Sequence, residues 1–192
     1  MHLKKLLQLL LIFSCFLYAE LQPKQNIGIE LNPFRLLIST DRWLSVSGTV
    51  AHFNNNNGVE IAIPFYYSNE SAYDDYISDE TRFNLDIHYR KYLFDKETDG
   101  LYLGAFGRYT YLDGQAQNSS RYVTINKFGL GIEMGFRLKS ESLPLYWGAS
   151  LSTGRYLGNS NNKLRRDVLF DAGFDDRAFI FDIELLKVGY AF

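Results

Sequence analysis

The chain has 192 residues with a formal net charge of -2, 16% aromatic residues, 15 Gly, 4 Pro and a single Cys. A charge so near neutral argues against nucleic acid as a partner, because its binders are usually strongly basic, and a lone cysteine excludes an internal disulfide. A mean hydropathy of -0.18, with one long apolar run at the amino terminus and none later, excludes a bundle of membrane-spanning helices.

In chain order, the first element is MHLKKLLQLLLIFSCFLYAE, in which Lys4 and Lys5 precede an apolar run from Leu6 to Tyr18. A basic start, a short apolar run and a small residue at its end make a secretory signal peptide. The reading is signal peptide over 1–19, cut after Ala19, and one mature domain over 20–192. The run is too short to span a bilayer as a helix, which needs ~20 apolar residues. Ser14-Cys15 raises a second reading, with Cys15 as a lipidated amino terminus, but Phe13 fits that motif poorly.

The mature chain then repeats a period of two, the signature of strands. Ile27, Ile29 and Leu31 open a first strand, bent near Pro33 and carried on by Leu36, Leu37 and Ile38. Leu44, Val46 and Val50 oppose Ser45, Ser47 and Thr49 in the second, and residues 54–58, rich in Asn and ending in Gly, make a hairpin turn. The third sets Val59, Ile61, Ile63 and Phe65 against Glu60, Ala62, Pro64 and Tyr66. After a polar stretch over 68–80, the fourth sets Phe83, Leu85, Ile87, Tyr89 and Leu93 against Arg82, Asn84, Asp86, His88 and Arg90. A turn at 95–100 leads to the fifth, with Leu101, Leu103, Ala105 and Tyr109 on one face, and a loop over 113–121 follows. In the sixth, Phe128, Leu130, Ile132, Met134, Phe136 and Leu138 alternate with Lys127, Gly129, Gly131, Glu133, Gly135 and Arg137. A turn over 139–144, a seventh strand through Leu145, Trp147, Ala149 and Leu151, and a loop over about 157–176 lead to the eighth, RAFIFDIELLKVGYAF. Its phase slips once, at Leu185 and Leu186, where a β-bulge or a turn in burial is expected.

The chain therefore ends on an apolar strand with aromatic residues at Tyr190 and Phe192, and Val188 before them. This ending resembles the closing strand of bacterial outer-membrane β-barrels, in which a terminal Phe after alternating apolar positions is read by the barrel-assembly machinery. The resemblance implies that Val188, Tyr190 and Phe192 form an assembly signal, and that the fold is an all-β, eight-stranded antiparallel up-and-down transmembrane β-barrel. Loop lengths agree, because the loops at 68, 113 and 157 are long whereas those at 54, 95 and 139 are short. The first hairpin, short at residues 39–42, is the exception. Aromatic residues also gather near the strand ends, as two girdles: Phe65, Tyr67, Tyr109, Tyr111, Tyr122, Tyr156 and Phe179 on the loop side, and Phe53, Phe136, Trp147, Tyr190 and Phe192 on the turn side. The runner-up fold is a secreted lipocalin-like barrel with an apolar interior.

Chemistry is sparse. His52 falls at a turn end on the apolar parity, and His88 falls mid-strand beside Asp86 and Arg90 where a structural role is expected, so no nucleophile with a positioned base emerges. The expectation is no enzyme, no cofactor and no metal. The acidic loop with Glu70, Asp74, Asp75, Asp79 and Glu80 lacks the spacing of a calcium loop, and Lys163, Arg165 and Arg166 are either solvated or set against lipopolysaccharide. Gly129, Gly131 and Gly135 give room to long neighbours inside the barrel.

The mixed-parity charges would then fill the lumen: Glu30, Glu60, Asp86, Glu133, Asp182 and Glu184 against Arg82, Arg90, Arg108, Lys127, Arg137 and Lys187. An eight-stranded barrel has an interior only wide enough for side chains, so opposite charges should pair there. The closest contacts are expected among Asp86, Arg108, Glu133 and Glu184, with Arg82 or Arg90 supplying the remaining cation. Two functional classes stay open, a structural or surface-interaction barrel acting through its outer loops and a narrow transport barrel for small or apolar solutes; an enzyme modifying lipid A ranks below both. Expected partners are outer-membrane lipid and lipopolysaccharide, with the assembly machinery during biogenesis, for a monomer in the outer membrane of a Gram-negative bacterium.

Overall fold

The computed structural model describes residues 26–40, 43–70, 80–94, 98–115, 122–157 and 179–192. They form strands β1 (Ile27–Leu31), β2 (Trp43–Asn54), β3 (Val59–Glu70), β4 (Glu80–Tyr92), β5 (Gly100–Gln115), β6 (Tyr122–Lys139), β7 (Leu145–Leu157) and β8 (Phe179–Ala191), with one short helix, α1 (Pro33–Ile38). Each strand pairs antiparallel with the next and β8 returns to β1, so the fold is a closed, eight-stranded, up-and-down antiparallel barrel. The signal peptide with Cys15, Asp74, Asp75 and Asp79 of the acidic loop, and Lys163, Arg165 and Arg166 lie outside the described residues. Among the described residues no helix is long and apolar enough to cross a membrane.

The period of two sorts the side chains, and it does so inside out relative to a soluble protein. On β4, Asn84, Asp86, His88 and Arg90 are buried while Leu85, Ile87 and Tyr89 are exposed. Outward Ile132 is 65% exposed, whereas inward Arg90 is 1% exposed and Glu60 is 0% exposed. Charged groups thus fill the interior and aliphatic ones form the outer wall. Strands of 12 to 18 residues from β2 to β8 exceed the roughly 9–11 residues that a tilted strand needs to cross hydrocarbon.

Register follows from local chemistry at both ends. Asn57 N–H donates to the Asn54 carbonyl at 3.2 Å and Gly58 takes a φ of +58°, the left-handed conformation that glycine adopts without steric cost. At the seam, Ile27 and Phe192 exchange backbone hydrogen bonds of 2.9 and 3.1 Å, so the last residue closes the barrel. Between Gly148 and Ser150 of β7, β8 advances from Lys187 back to Glu184, one residue too many, with Leu186 at a φ of +57°. This bulge leaves Leu185 and Leu186 both exposed and returns Asp182, Glu184 and Lys187 to the inward face.

Some expectations need correction. Leu36, Leu37 and Ile38 do not continue the first strand; they belong to α1, because the Asn32 side chain accepts from Arg35 N–H at 3.3 Å and Pro33 occupies a helical position that needs no N–H donor. Phe53 is not a girdle residue but lies buried inside, in the inward row of Thr49 and Ala51. Tyr156 also faces inward, its hydroxyl 3.0 Å from Thr110 Oγ1. The strands are taller than the sequence suggests, since Asp113 and Gly114 lie in β5 rather than in a loop. Elsewhere aromatic contacts gather on the outside, with Phe136 on Trp147 at 5.4 Å and Tyr109 on Phe128 at 5.3 Å, while Tyr190, itself buried, meets Phe192 at 5.8 Å.

Candidate functional site

The lumen near the tight turns is built by register. Glu60 of β3 lies directly across from Arg90 of β4, and Arg90, Gly104 and Glu133 form one row across β4, β5 and β6. Gly104 lets Arg90 reach past its own neighbour, because a methyl group there would stand 2.7 Å from the Tyr89 carbonyl oxygen and 3.3 Å from Arg90 Cγ. Arg90 then donates through Nη1 to Glu60 at 2.7 Å and through Nε to Glu133 at 2.8 Å. Arg137 donates to Glu60 at 2.6 Å and to Glu30 at 2.6 Å, and the Tyr92 hydroxyl completes Glu60 at 2.7 Å. The Arg137 guanidinium also lies against both rings of the edge-to-face pair Phe53 and Tyr146, at 4.5 and 4.4 Å from their centroids.

From Glu133 the network climbs. His88 Nδ1 lies 2.7 Å from Glu133 and Nε2 lies 3.1 Å from Asp86, so the ring bridges two carboxylates. Both contacts are hydrogen bonds only when both ring nitrogens carry a hydrogen. Asp86 accepts from Arg108 at 2.7 and 2.9 Å, a two-point pairing across adjacent strands, and Arg108 also pairs with Asp182. Lys187 donates to Ser150 at 3.0 Å and to the Tyr102 hydroxyl at 3.2 Å, 3.9 Å from Glu133. Joined through the His88 ring, a single chain of polar contacts thus runs from Glu30 to Asp182. The cavity left among these groups, beneath α1, is about 40 Å³, where a single water needs roughly 10–15 Å³.

Three of the expected lumen residues stand apart from that chain. Glu184 is not in the Asp86–Arg108 tier; it accepts from Arg35 of α1 at 2.6 and 2.9 Å, and also from Asn32 and Ser47. Arg82 lies higher, 44% exposed, where it pairs with Glu80 at 2.9 Å. Lys127 is at the loop end with its Nζ 5.4 Å from the Tyr156 ring centroid. Val188 pairs with Leu31 and Trp147, and Tyr190 with Ile29 and Leu145, so these residues and Phe192 stitch the seam. Arg35 was missed by strand parity because it sits in a helix; the Asn32-Pro33 pair, a helix-start combination, is the signal that finds it.

The arrangement supports ion pairing across the lumen. Among the described residues no group of His, Cys, Asp and Glu could hold a metal ion. No protein-family model matches the chain, and no curated protein does either. Among solved structures, the chain is similar to the crystal structure of neisserial surface protein A (NspA), at 10% sequence identity and a TM-score of 0.45, covering 87% of this chain and 90% of that one.

Proposed function

We propose that the chain is an integral outer-membrane β-barrel that serves a structural or surface-interaction role through its outer loops, with its lumen closed by charge pairs. One observation carries this reading: the wall is aliphatic on the outside while buried Glu and Arg side chains interlock across the inside. Water would not favour such an exterior, whereas hydrocarbon does. The alternative of a narrow transport barrel is disfavoured by the roughly 40 Å³ left within the network. A role for His88 as a catalytic base is disfavoured by its place between two carboxylates, with the ring stacked on Phe106 at 5.0 Å. The proposed surroundings are lipid and lipopolysaccharide, with the assembly machinery acting on a monomer during biogenesis.

The test is gel mobility with and without boiling, together with carbonate washing of membranes. A shift on boiling and retention after the wash are expected. Identical mobilities with release by carbonate would contradict the reading.

A further inference from the structure

The wall is incomplete on one side. β1 stops at Leu31, while its neighbours run on, β2 up to Trp43 and β8 up to Phe179. Residues 179–187 of β8 and 43–47 of β2 therefore extend past the last pairs that β1 makes with them, in the half of the barrel toward the long loops. α1 occupies the gap. Backbone hydrogen bonds tie its flanks to β2, Asn32 N–H to the Ser47 carbonyl at 3.1 Å and Thr40 N–H to the Trp43 carbonyl at 2.8 Å, and Ser39 Oγ meets the Ser45 backbone at 2.9 and 3.2 Å; toward β8 it is held through side chains, Arg35 and Asn32 on Glu184, and it turns Phe34, Leu37 and Ile38 outward. Side-chain ties are weaker closures than a ladder of backbone bonds, which is what hydrocarbon ordinarily demands of a barrel wall.

Behind this panel is a chamber of about 670 Å³, above the charge network, a volume in the range of small-molecule sites, roughly 300–1,000 Å³. Arg35, Arg82, Arg108 and Lys127 line it with Asp182, and of these Arg35, Arg82 and Arg108 already pair with Glu184, Glu80 and Asp86, so an anion entering the chamber exchanges with a carboxylate. Leu112 and Ile180, which also line it, are buried aliphatic residues and give the chamber an apolar side. Cationic side chains beside an apolar patch complement an anionic head on an apolar chain.

We infer that α1 is a lateral panel between β2 and β8, and that the chamber behind it takes a single-chain amphiphile with a carboxylate head, a long-chain fatty acid, from the outer leaflet. The inference rests on the membrane reading above. Arg35 grips Glu184 with a two-point fork, so the fatty-acid carboxylate is the same chemistry as the latch and competes for the same guanidinium. The charge network forms the chamber's floor, so occupancy requires no ion path through the barrel.

The experiment uses the protein in lipid nanodiscs with cis-parinaric acid as a fluorescent probe, each preparation first checked for a mobility shift on boiling. A saturable fluorescence rise, displaced by oleic acid and not by methyl oleate, is expected. Filling the chamber with Ile180→Trp or Leu112→Trp should weaken binding about tenfold. Bridging Cys residues in an Asn32→Cys, Glu184→Cys variant, which keeps Arg35, with a reducible cross-linker should slow probe uptake, and reduction should restore it. A heat-shifting wild type without saturable binding, or one displaced equally by methyl oleate, would overturn the chamber; unchanged uptake in the bridged variant would overturn the panel. Loss of the mobility shift in the wild type would instead overturn the membrane reading itself.

Discussion

Glu60→Ala is expected to destabilise the barrel by about 3–5 kcal/mol, the usual cost of breaking a buried ion pair from one side. Glu60 is 0% exposed and accepts from Arg90, Arg137 and Tyr92. Its removal leaves two guanidinium groups facing each other with Glu30 and Glu133 as their remaining carboxylates. The double variant Glu60→Met, Arg137→Met should lose much less, because buried charge and counter-charge go together and apolar groups replace them. Urea unfolding from lipid vesicles, followed by the fluorescence of Trp43 and Trp147, measures both. A Glu60→Ala midpoint equal to wild type would mean that water, not Glu60, satisfies these arginines.

Deleting Phe192 is expected to abolish most membrane-inserted protein, and Phe192→Ser to reduce it strongly, whereas Tyr73→Ser, a substitution outside the described residues, should leave levels near wild type. The two Phe192 variants separate two contributions. Deletion removes both backbone hydrogen bonds that Phe192 exchanges with Ile27 at the β1–β8 seam. That seam is short, only Gly28 to Leu31 against Val188 to Ala191, so these bonds are a large part of its closure. Phe192→Ser keeps the backbone and loses only the ring, which packs near Tyr190, so its defect reads the assembly role that the carboxyl-terminal resemblance implies for Val188, Tyr190 and Phe192. Membrane fractions quantified by immunoblot decide the matter; normal levels of Phe192→Ser would remove the ring from the assembly signal.

Much of the wall was legible because a closed sheet leaves each residue two choices, in or out, and polarity picks one. Leu85, Ile87, Leu130 and Ile132 could only go outward, and Asp86, Arg90, Glu133 and Arg137 inward. The slip at Leu185 and Leu186 was legible for the same reason, since two consecutive apolar residues break a period of two. Vertical position was harder. Arg82 shares the parity of Arg90 but sits four pairs higher than Asp86's network allows, because β4 starts as early as Glu80. Glu184 shares the parity of Asp182, yet its cation comes from α1, outside any strand pattern. The run Leu36-Leu37-Ile38 fits a strand or one helical turn equally well, and Asn32 with Pro33 decides locally for the helix. Phe53 shows a competing rule winning: its place near a strand end suggested a girdle, but its parity with Thr49 and Ala51, and the stacking of its ring on Arg137, put it inside.

Conductance in planar lipid bilayers tests the closed lumen most directly. The network spans the interior from Glu30 to Asp182 with Arg108 and Glu133 as its connecting members. Wild-type protein, inserted and verified by its shift on boiling, is expected to give no stable steps, and steps should appear only after Arg108→Ala or Glu133→Ala. Stable, reproducible conductance steps from the wild type would contradict a lumen closed by charge pairs.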